Sequence, residues 1–187
     1  MKIGVISDTH GVVPAWQKAM DIFAGAELIV HAGDVLYHPP RIGFTPGYEI
    51  PELVKLMNAC NVPIVIARGN CDAEVYEEIL DMPVLSPYAF VQASGLRMVI
   101  HHGHTLGEED MSRLAAKYRA DVFVTGHTHI PVLSRLNGAI HINPGSPAHP
   151  KFEREGIAVP TVGLISGDEI RVVELETGAE IMSAPLK

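Results

Sequence analysis

A recurring pattern constrains this chain most: short β-branched, apolar segments that stop abruptly at polar residues. The first runs from Lys2 to Ser7. Short apolar runs bounded by turn residues are typical of buried strands. Five such segments end in these residues: Asp8/His10, Asp34, Asn70, His102/His104 and His127/His129. Because sites in α/β folds lie beyond the carboxyl ends of strands, the pattern predicts that most of these residues meet at one edge.

Helix-like spacing separates the early strands. The segments from Val13 to Phe23, Ile50 to Cys60 and Glu108 to Tyr118 place apolar residues three or four apart, which predicts amphipathic helices. A short helix is expected from Ala73 to Leu80. Strands separated by helices favour parallel pairing, so the first half of the chain predicts a parallel sheet.

Hairpin patterns dominate the second half. Apolar segments flank Ser94-Gly95, Asn137-Gly138 and Gly167-Asp168, and such short turns join antiparallel strands. Two mixed sheets packed together, with helices outside, would accommodate both kinds of pairing. We expect one domain over residues 1–187, in which only Lys151 to Pro160 and the final few residues lack a clear pattern.

Composition limits the classes of function. The chain has 187 residues, 47% of them hydrophobic and 19% charged, which indicates a globular protein. Its net charge of −8 argues against strong binding of nucleic acid. No apolar run approaches the roughly 20 residues of a membrane span, and the N-terminus is a poor signal peptide. These features predict a cytoplasmic protein without membrane association, with Cys60 and Cys71 as free thiols.

Each polar cluster also has a purely structural interpretation. An aspartate commonly caps a helix, an asparagine fits a left-handed turn, and a lone buried histidine is more often a satisfied core residue than a ligand. Taken together, however, these interpretations require five separate coincidences at strand ends. Massed buried carboxylates and imidazoles would be costly without a counter-charge, and a metal ion removes that cost.

The chemistry of these candidate ligands limits which metal ions they suit. Oxygen and nitrogen ligands of this kind suit Mn, Fe, Zn, Co or Ni rather than Ca or Mg. Seven ligands are too many for one tetrahedral ion and match two ions about 3.5–4 Å apart that share a carboxylate. The set comprises Asp8, His10, Asp34, Asn70, His102, His127 and His129.

The ordered motifs Asp8-x-His10, Gly33-Asp34, Gly69-Asn70, His102-Gly103-His104 and Gly126-His127-Thr128-His129 resemble those of the calcineurin-like metallophosphoesterase superfamily. The similarity extends from Met1 to about Ser146 and is closest to small bacterial phosphodiesterases of the YfcE type. It implies a four-layer αββα sandwich of two mixed β-sheets flanked by helices.

The resemblance also implies roles for individual residues. Asp8, His10 and His129 would hold one metal, Asn70, His102 and His127 the other, and Asp34 would bridge them. A hydroxide between two divalent transition-metal ions, with Mn favoured, would attack a phosphodiester in line. Asp34, Asn70 and His104 are thus the candidate catalytic residues, although His104 has no assigned ligand position and could orient a ligand, touch substrate or support the site.

Cys71 is the departure from the pattern, because many members of the superfamily place a histidine there. An ordinary thiol is neutral at pH 7 and a weak donor, so it replaces a general acid poorly. This predicts a phosphodiesterase that is slow on alkyl monoesters and best with good leaving groups. Other readings of Cys71 stay open: a small buried hydrophobe or an extra soft ligand. The neighbouring Asp72 is expected to cap the short helix or to bond a ligand histidine.

Candidate substrate contacts are Cys71, Arg68, which precedes Gly69-Asn70, and Arg41 in the loop from Val35 to Tyr48. That loop is either a rim over the pocket or a packing or dimer contact, so a homo-oligomer is left open. The histidines assigned only structural roles are His31, His38, His101, His141 and His149.

Two other functions remain open. A phosphomonoesterase or a nucleotide-directed phosphohydrolase would use the same site. A non-catalytic scaffold of the same fold is disfavoured because every ligand position holds a competent ligand.

Overall fold

The computed structural model describes residues 1–186, and Lys187 lies outside them. The elements along the described chain are β1 (Lys2–Ile6), α1 (Val13–Ile22), β2 (Leu28–His31), α2 (Ile50–Asn58), β3 (Ile64–Ala67), α3 (Tyr76–Ile79), β4 (Val84–Leu85), β5 (Ala89–Ala93), β6 (Leu96–Ile100), α4 (Glu108–Tyr118), β7 (Val122–Val124), β8 (Val132–Leu136), β9 (Ala139–Asn143), β10 (Glu153–Arg154), β11 (Ile157–Ala158), β12 (Thr161–Ser166), β13 (Glu169–Glu174) and β14 (Glu180–Pro185).

Two mixed sheets form the body of the protein. A seven-stranded sheet has the order β14-β13-β12-β1-β2-β3-β4, and a five-stranded sheet has the order β5-β6-β7-β9-β8. Strands β1 to β4 pair in parallel, as do β6, β7 and β9. Strands β12 to β14 continue the first sheet by antiparallel hairpins. The prediction of two mixed sheets is therefore confirmed.

Alternating side chains of the strands build three apolar layers. Ile3 and Val5 of β1 join a cluster that also contains Ile100 and Ile142 of the other sheet, so this cluster lies between the sheets. A second cluster packs helices α1 and α2 against the large sheet, with Trp16 at its centre. A third packs α4 against the small sheet. These layers establish the αββα sandwich.

Most predicted elements occur where the sequence pattern placed them, with several corrections. The hairpins at Ser94-Gly95, Asn137-Gly138 and Gly167-Asp168 are confirmed. The short helix covers only Tyr76–Ile79 rather than Ala73 to Leu80. The final residues were expected to be irregular, yet β14 pairs with β13 through a register shift near Val172. The sequence did not predict this edge strand because its apolar alternation is weak and its side chains are at most half-buried.

The first strands end at the same side of the large sheet because they are parallel. Backbone bonds then join the loop after β1 to the loop after β2: the Asp8 N–H donates to the Gly33 carbonyl at 2.9 Å, and the His10 N–H donates to the Asp34 carbonyl at 3.0 Å. The segment from Val35 to Tyr48 is a loop between β2 and α2, as predicted. Within residues 1–186, no helix is both long and apolar enough to cross a membrane.

The close approach of the two sheets gives a first prediction. A Cβ atom on Gly163 of β12 would lie 2.8 Å from Ile142 Cδ1 and 3.0 Å from Val5 Cβ. Gly163→Ala should therefore lower the free energy of unfolding by about 1–3 kcal/mol through overpacking. Chemical denaturation of Gly43→Ala provides the matched control, since its Cβ would meet open space. Equal midpoints for the two variants would contradict this account of the interface.

Candidate metal centre

Seven polar side chains predicted from strand ends converge in the structure. Asp8, Asp34 and Asn70 follow strands of the large sheet, whereas His102 and His127 follow strands of the small one. The two sheets face each other, so these loops lie opposite one another. His10 and His129 complete the group, and their Nε2 atoms are 3.4 Å apart.

The backbone at this edge is unusual. Five of the seven residues are in the left-handed region: φ is 57° at Asp8, 45° at His10, 58° at Asp34, 68° at His127 and 61° at His129. Residues other than glycine rarely adopt this conformation, and each instance costs on the order of 1–3 kcal/mol. Such conformations persist where the surrounding structure requires them, so their concentration here marks this edge as a functional site.

Three histidines are oriented by backbone carbonyl groups. His10 Nδ1 donates to the Tyr37 carbonyl at 2.6 Å. In the same way, His102 Nδ1 donates to the Ala32 carbonyl at 2.7 Å, and His129 Nδ1 donates to the His149 carbonyl at 2.7 Å. A carbonyl only accepts, so Nδ1 carries the proton in each ring. The Nε2 lone pair of each neutral ring then faces the centre, which is the arrangement found in metal-binding histidines.

The Nε2 atoms face carboxylate oxygens. Asp8 Oδ1 lies 3.2 Å from His129 Nε2, 3.7 Å from His10 Nε2 and 4.0 Å from His102 Nε2. Asp34 Oδ2 lies 3.3 Å from His102 Nε2 and 3.7 Å from His10 Nε2. Neutral rings would therefore point lone pairs at anionic oxygens across a buried space, which is repulsive unless a proton or a metal ion lies between them.

The surroundings of Asp8 show whether a metal ion fits this site. Its side chain is completely buried, and Oδ1 has no hydrogen-bond partner among residues 1–186, whereas Oδ2 accepts the His127 N–H at 3.0 Å. A buried carboxylate oxygen without a donor is costly. Asp8, His10 and His129 together can offer three ligand atoms to one ion, as can Asp8, Asp34 and His102. The donor set thus fits divalent metal ions.

Asn70 and His127 extend the centre on its open side. Asn70 Oδ1 lies 3.1 Å from His102 Nε2, so a second oxygen acceptor faces that imidazole. The ring centroids of His127 and His102 are 5.2 Å apart. His127 is exposed, and it lines the cleft together with Asn70.

The carboxylates are held in their charged form. Burial alone would raise the pKa of Asp8, but the neighbouring imidazoles of His10, His129 and His102 hold it well below its usual range. Burial opposes ionisation of Asp34 too, yet its hydrogen bond with His102 lowers its pKa. Burial would lower the pKa of His102, but Asp34 and Asp8 raise it to about 9, so without a metal a second proton on Nε2 supplies the positive charge between this ring and the carboxylates. The pocket therefore stabilises positive charge, as a metal site must.

Two glycines admit the centre's side chains. A Cβ on Gly126 would overlap Ser7 Oγ and lie 2.7 Å from Asp8 Oδ2. A Cβ on Gly69 would overlap Asp34 Oδ1. These glycines in the Gly126-His127 and Gly69-Asn70 motifs are therefore required by close approach to the two carboxylates.

The hydrogen-bond partners of Asp72 differ from those predicted. It neither caps α3 nor bonds a ligand histidine; instead its carboxylate accepts the backbone N–H groups of Asp34 (2.9 Å), Val35 (2.8 Å) and Gly69 (2.7 Å). Asp34 Oδ1 accepts the Cys71 N–H in turn at 2.8 Å. Asp72 thus joins the loop after β2 to the loop after β3 and sets the position of Asp34.

The segment Asn143-Pro144-Gly145-Ser146 supports the centre from the small sheet. Asn143 Nδ2 donates to the Gly126 carbonyl at 2.8 Å and to Thr128 Oγ1 at 3.0 Å. Ser146 Oγ donates to the Asp8 carbonyl at 2.8 Å. The segment therefore holds the loops that carry Asp8 and His127.

A cleft of about 580 Å³ opens onto the centre and is lined by Asp34, Asn70, His127 and His129, with Cys71 at its side. Arg41 lies on the wall of this cleft, and its role as a phosphate contact stays a prediction. Arg68 does not line the cleft, because its guanidinium pairs with Glu77. The sequence prediction for Arg68 as a substrate contact therefore has no support in this geometry.

Cys71 and His104 occupy different positions. Cys71 is half-buried beside the cleft, and its Sγ accepts from Asn70 Nδ2 at 3.3 Å. Burial and the charge of Asp34 raise the pKa of its thiol to about 12, so the thiol is neutral. His104 is exposed, and its ring centroid lies 5.4 Å from that of His102 and 6.1 Å from that of His127.

Sequence reasoning missed two residues at this site. His149 was assigned a structural role, but its ring centroid lies 5.3 Å from that of His10 and its carbonyl orients His129. Lys151 adds a second cation to the cleft wall. Neither has a motif of its own, and only their position shortly after Ser146 hinted at them. His31 is a satisfied core histidine, as expected, with Nε2 3.0 Å from Thr9 Oγ1.

Comparisons with known proteins agree with this geometry. The family model of the calcineurin-like phosphoesterase superfamily domain matches residues 1–164. The chain is 36% identical to phosphodiesterase YfcE of Escherichia coli strain K12 over 177 residues, covering 94% of this chain and 92% of the relative. It is 30% identical to phosphodiesterase MJ0936 of Methanocaldococcus jannaschii, covering 94% of this chain and all of that protein.

The fold is similar to that of one of these relatives. The solved structure of Yfce, a phosphoesterase from E. coli, superposes with a TM-score of 0.86 at 32% identity and covers 100% of both chains. The fold is therefore shared across the length of both chains.

The position of Asp72 gives a second prediction. Asp72→Ala leaves three N–H groups without their acceptor, and each unsatisfied buried group costs about 1–3 kcal/mol. We expect a loss of about 3 kcal/mol or more in the free energy of unfolding, measured by denaturant titration, with Asp72→Asn intermediate because it keeps one acceptor oxygen. Asp81→Ala, at an exposed aspartate, is the control and should change little. An Asp72→Ala protein as stable as this control would refute the bridging role.

Proposed function

The chain belongs to the calcineurin-like phosphoesterase superfamily, and from that premise we propose that it is a metal-dependent phosphodiesterase acting on a small molecule. One observation carries the proposal: a buried carboxylate oxygen of Asp8 without a hydrogen-bond donor faces three imidazoles whose Nδ1 protons are already committed to carbonyl groups. That arrangement requires cations, and it lies at the base of an open cleft.

The proposed ligand sets follow the two sides of the centre. Asp8, His10 and His129 would hold one divalent ion. Asn70, His102 and His127 would hold a second, with Asp34 shared between them. Manganese is the proposed metal, and Ni, Co, Fe and Zn also suit imidazole and carboxylate ligands. When bound, the ions would polarise phosphoryl oxygens and lower the pKa of a water toward neutrality.

The chain's own residues do the remaining work. The carbonyl groups of Tyr37, Ala32 and His149 fix the rings of His10, His102 and His129, so the Nε2 atoms need no reorganisation on binding. Asp72 holds the backbone of Asp34 in place. Arg41 and Lys151 place positive charge on the cleft wall, where they can contact an anionic phosphate.

The thiol at Cys71 supports a diesterase rather than a general phosphatase. With a pKa near 12, it offers no efficient proton to a leaving alkoxide. Esters with good leaving groups need such help least. Two relatives also carry the name phosphodiesterase, that of E. coli and that of M. jannaschii.

The metal residues, the strained backbone and the net charge also bear on the alternative functions. A phosphomonoesterase or nucleotide-directed enzyme would use the same metal residues and differs only in what fills the cleft. A scaffold needs no complete ligand set, and here the strained backbone at Asp8 and His10 would be costly without one. The net charge of −8 disfavours long nucleic acids as substrates. Cytoplasmic location and oligomeric state stay predictions.

Metal dependence gives the test of the proposal. Hydrolysis of an aryl phosphodiester and its monoester should be compared under Mn, Ni, Co, Zn and Mg after chelation. We expect diester hydrolysis only with a divalent ion, and Asp34→Ala or Asn70→Ala should lose both activity and bound metal, measured by elemental analysis.

Asp21→Ala, at an exposed helix position, is the control and should keep both properties. Comparable rates without added metal, or undiminished hydrolysis in both site variants, would rule out a metal-dependent enzyme.

Cys71 gives a separate prediction about substrate preference. Cys71→His restores a general acid, which typically contributes 10²–10⁴-fold to substrates with basic leaving groups. The ratio of alkyl to aryl diester hydrolysis should therefore rise at least about 10-fold, as measured by steady-state kinetics. Cys71→Ala adds no acid and should leave that ratio as in the wild type. An unchanged ratio in Cys71→His would end the leaving-group argument.

A further inference from the structure

A second cleft adjoins the metal centre and meets the first at Pro40. Its volume is about 550 Å³, and it shares Pro40, Asn70 and Cys71 with the cleft described above. The remaining walls are the rings of Tyr37, His38, Phe44 and Tyr48. This second cleft is here named the aromatic pocket. None of the described residues that line it is Asp, Glu, Lys or Arg. The two clefts therefore differ in chemistry on either side of one proline.

Three of the rings form a compact group. The centroid of His38 lies 4.4 Å from that of Phe44 and 5.3 Å from that of Tyr48, and Phe44 lies 5.1 Å from Tyr48. These separations are those of favourable aromatic pairs. The ring of Phe44 is nevertheless 72% exposed, and Tyr37 is 39% exposed. A large apolar ring left that open beside a catalytic edge has a face available for a ligand.

The walls are supported from beneath. The Tyr37 ring lies 5.4 Å from the ring of Tyr76, which is fully buried, and the Tyr37 N–H donates to Tyr76 Oη at 3.0 Å. The Tyr48 ring packs against the backbone at Gly11, where a Cβ would lie 2.5 Å from Tyr48 Cε2. A pocket with such backing needs little ordering when a ligand enters.

The aromatic pocket is physically continuous with the metal centre. The Tyr37 carbonyl accepts from His10 Nδ1, so one residue supplies both a pocket wall and the orientation of a proposed metal ligand. Asn70, a proposed ligand of the second ion, lies on the border of both clefts, as does Cys71. A phosphate held at Asp34 and Asn70 could thus extend one ester arm to each side.

We propose that the aromatic pocket binds a planar aromatic group, aryl or nucleobase, carried by one ester arm of the phosphodiester substrate. The other arm would lie toward Arg41 and Lys151. This assignment rests on the proposed function and names the substrate class: an asymmetric diester with one aromatic and one polar or anionic end. The ring stacks on Phe44, with His38 and Tyr48 behind it, while Pro40 separates the arms.

The test uses binding rather than turnover, so that leaving-group chemistry plays no part. Phenylphosphonate and methylphosphonate differ only in the ring and cannot be hydrolysed at an ester bond. Uridine 5′-monophosphate and ribose 5-phosphate, which share the ribose and the phosphate, form a second pair for the nucleobase. Affinities are measured by calorimetry with Mn-loaded wild type, Phe44→Ala, Phe44→Tyr and Phe90→Ala. Phe90 is the matched control, because it is an exposed ring on β5.

We expect the wild type to bind the aromatic member of at least one pair more tightly, by about 2- to 10-fold. Phe44→Ala should abolish that preference while leaving methylphosphonate binding unchanged. Phe44→Tyr and Phe90→Ala should keep it. Loss in the phenyl pair alone assigns an aryl arm, and loss in the nucleoside pair alone assigns a nucleobase.

Two outcomes would overturn the assignment: no preference in the wild type for either pair, or a Phe44→Ala protein that retains the preference in full. Failure of the proposed function is seen separately, as the absence of metal-dependent hydrolysis in a protein whose ring preference is intact.

Discussion

The structure depends on one contact: the completely buried Oδ1 of Asp8 facing the Nε2 atoms of His10, His102 and His129. Each imidazole has its Nδ1 proton committed to a carbonyl, so none of the neutral rings offers a donor to this oxygen. Such a group is stable only when positive charge lies within it. Divalent ions satisfy that condition, and the chain belongs to the calcineurin-like phosphoesterase superfamily.

The surrounding layers follow from that contact. Glycines at 69 and 126 let backbone approach the two carboxylates, and Asp72 and Ser146 anchor the loops that bear them. The left-handed backbone at Asp8 and Asp34 is the cost of aiming both side chains inward. Above this base, the loop between β2 and α2 supplies both Arg41 and the aromatic pocket. The candidate metal ligands at the base and the loop that forms the rim are thus separate parts of one site.

Sequence reasoning succeeded where a single local rule applied. Short apolar runs bounded by turn residues placed the buried strands, helical spacing placed α1, α2 and α4, and two-residue turns placed the hairpins. It failed where tertiary contacts decided the outcome. Strand β14 has little apolar pattern and exists because β13 offers it an edge, whereas α3 is shortened to one turn. Asp72 looked like a helix cap in sequence, but its carboxylate accepts the N–H of nearby Gly69 and those of the distant Asp34 and Val35.

By itself, the sequence determined the fold class and the seven residues that converge, because ligand types at successive strand ends are written locally and in order. Only the tertiary structure decided which atoms face one another: the ring orientation of His10, the pairing of Arg68 with Glu77, and the approach of His149 and Lys151. It also placed Phe44 beside Asn70 and Cys71 at the rim. The reason is physical, since these relations join residues far apart in the chain and depend on how two sheets pack.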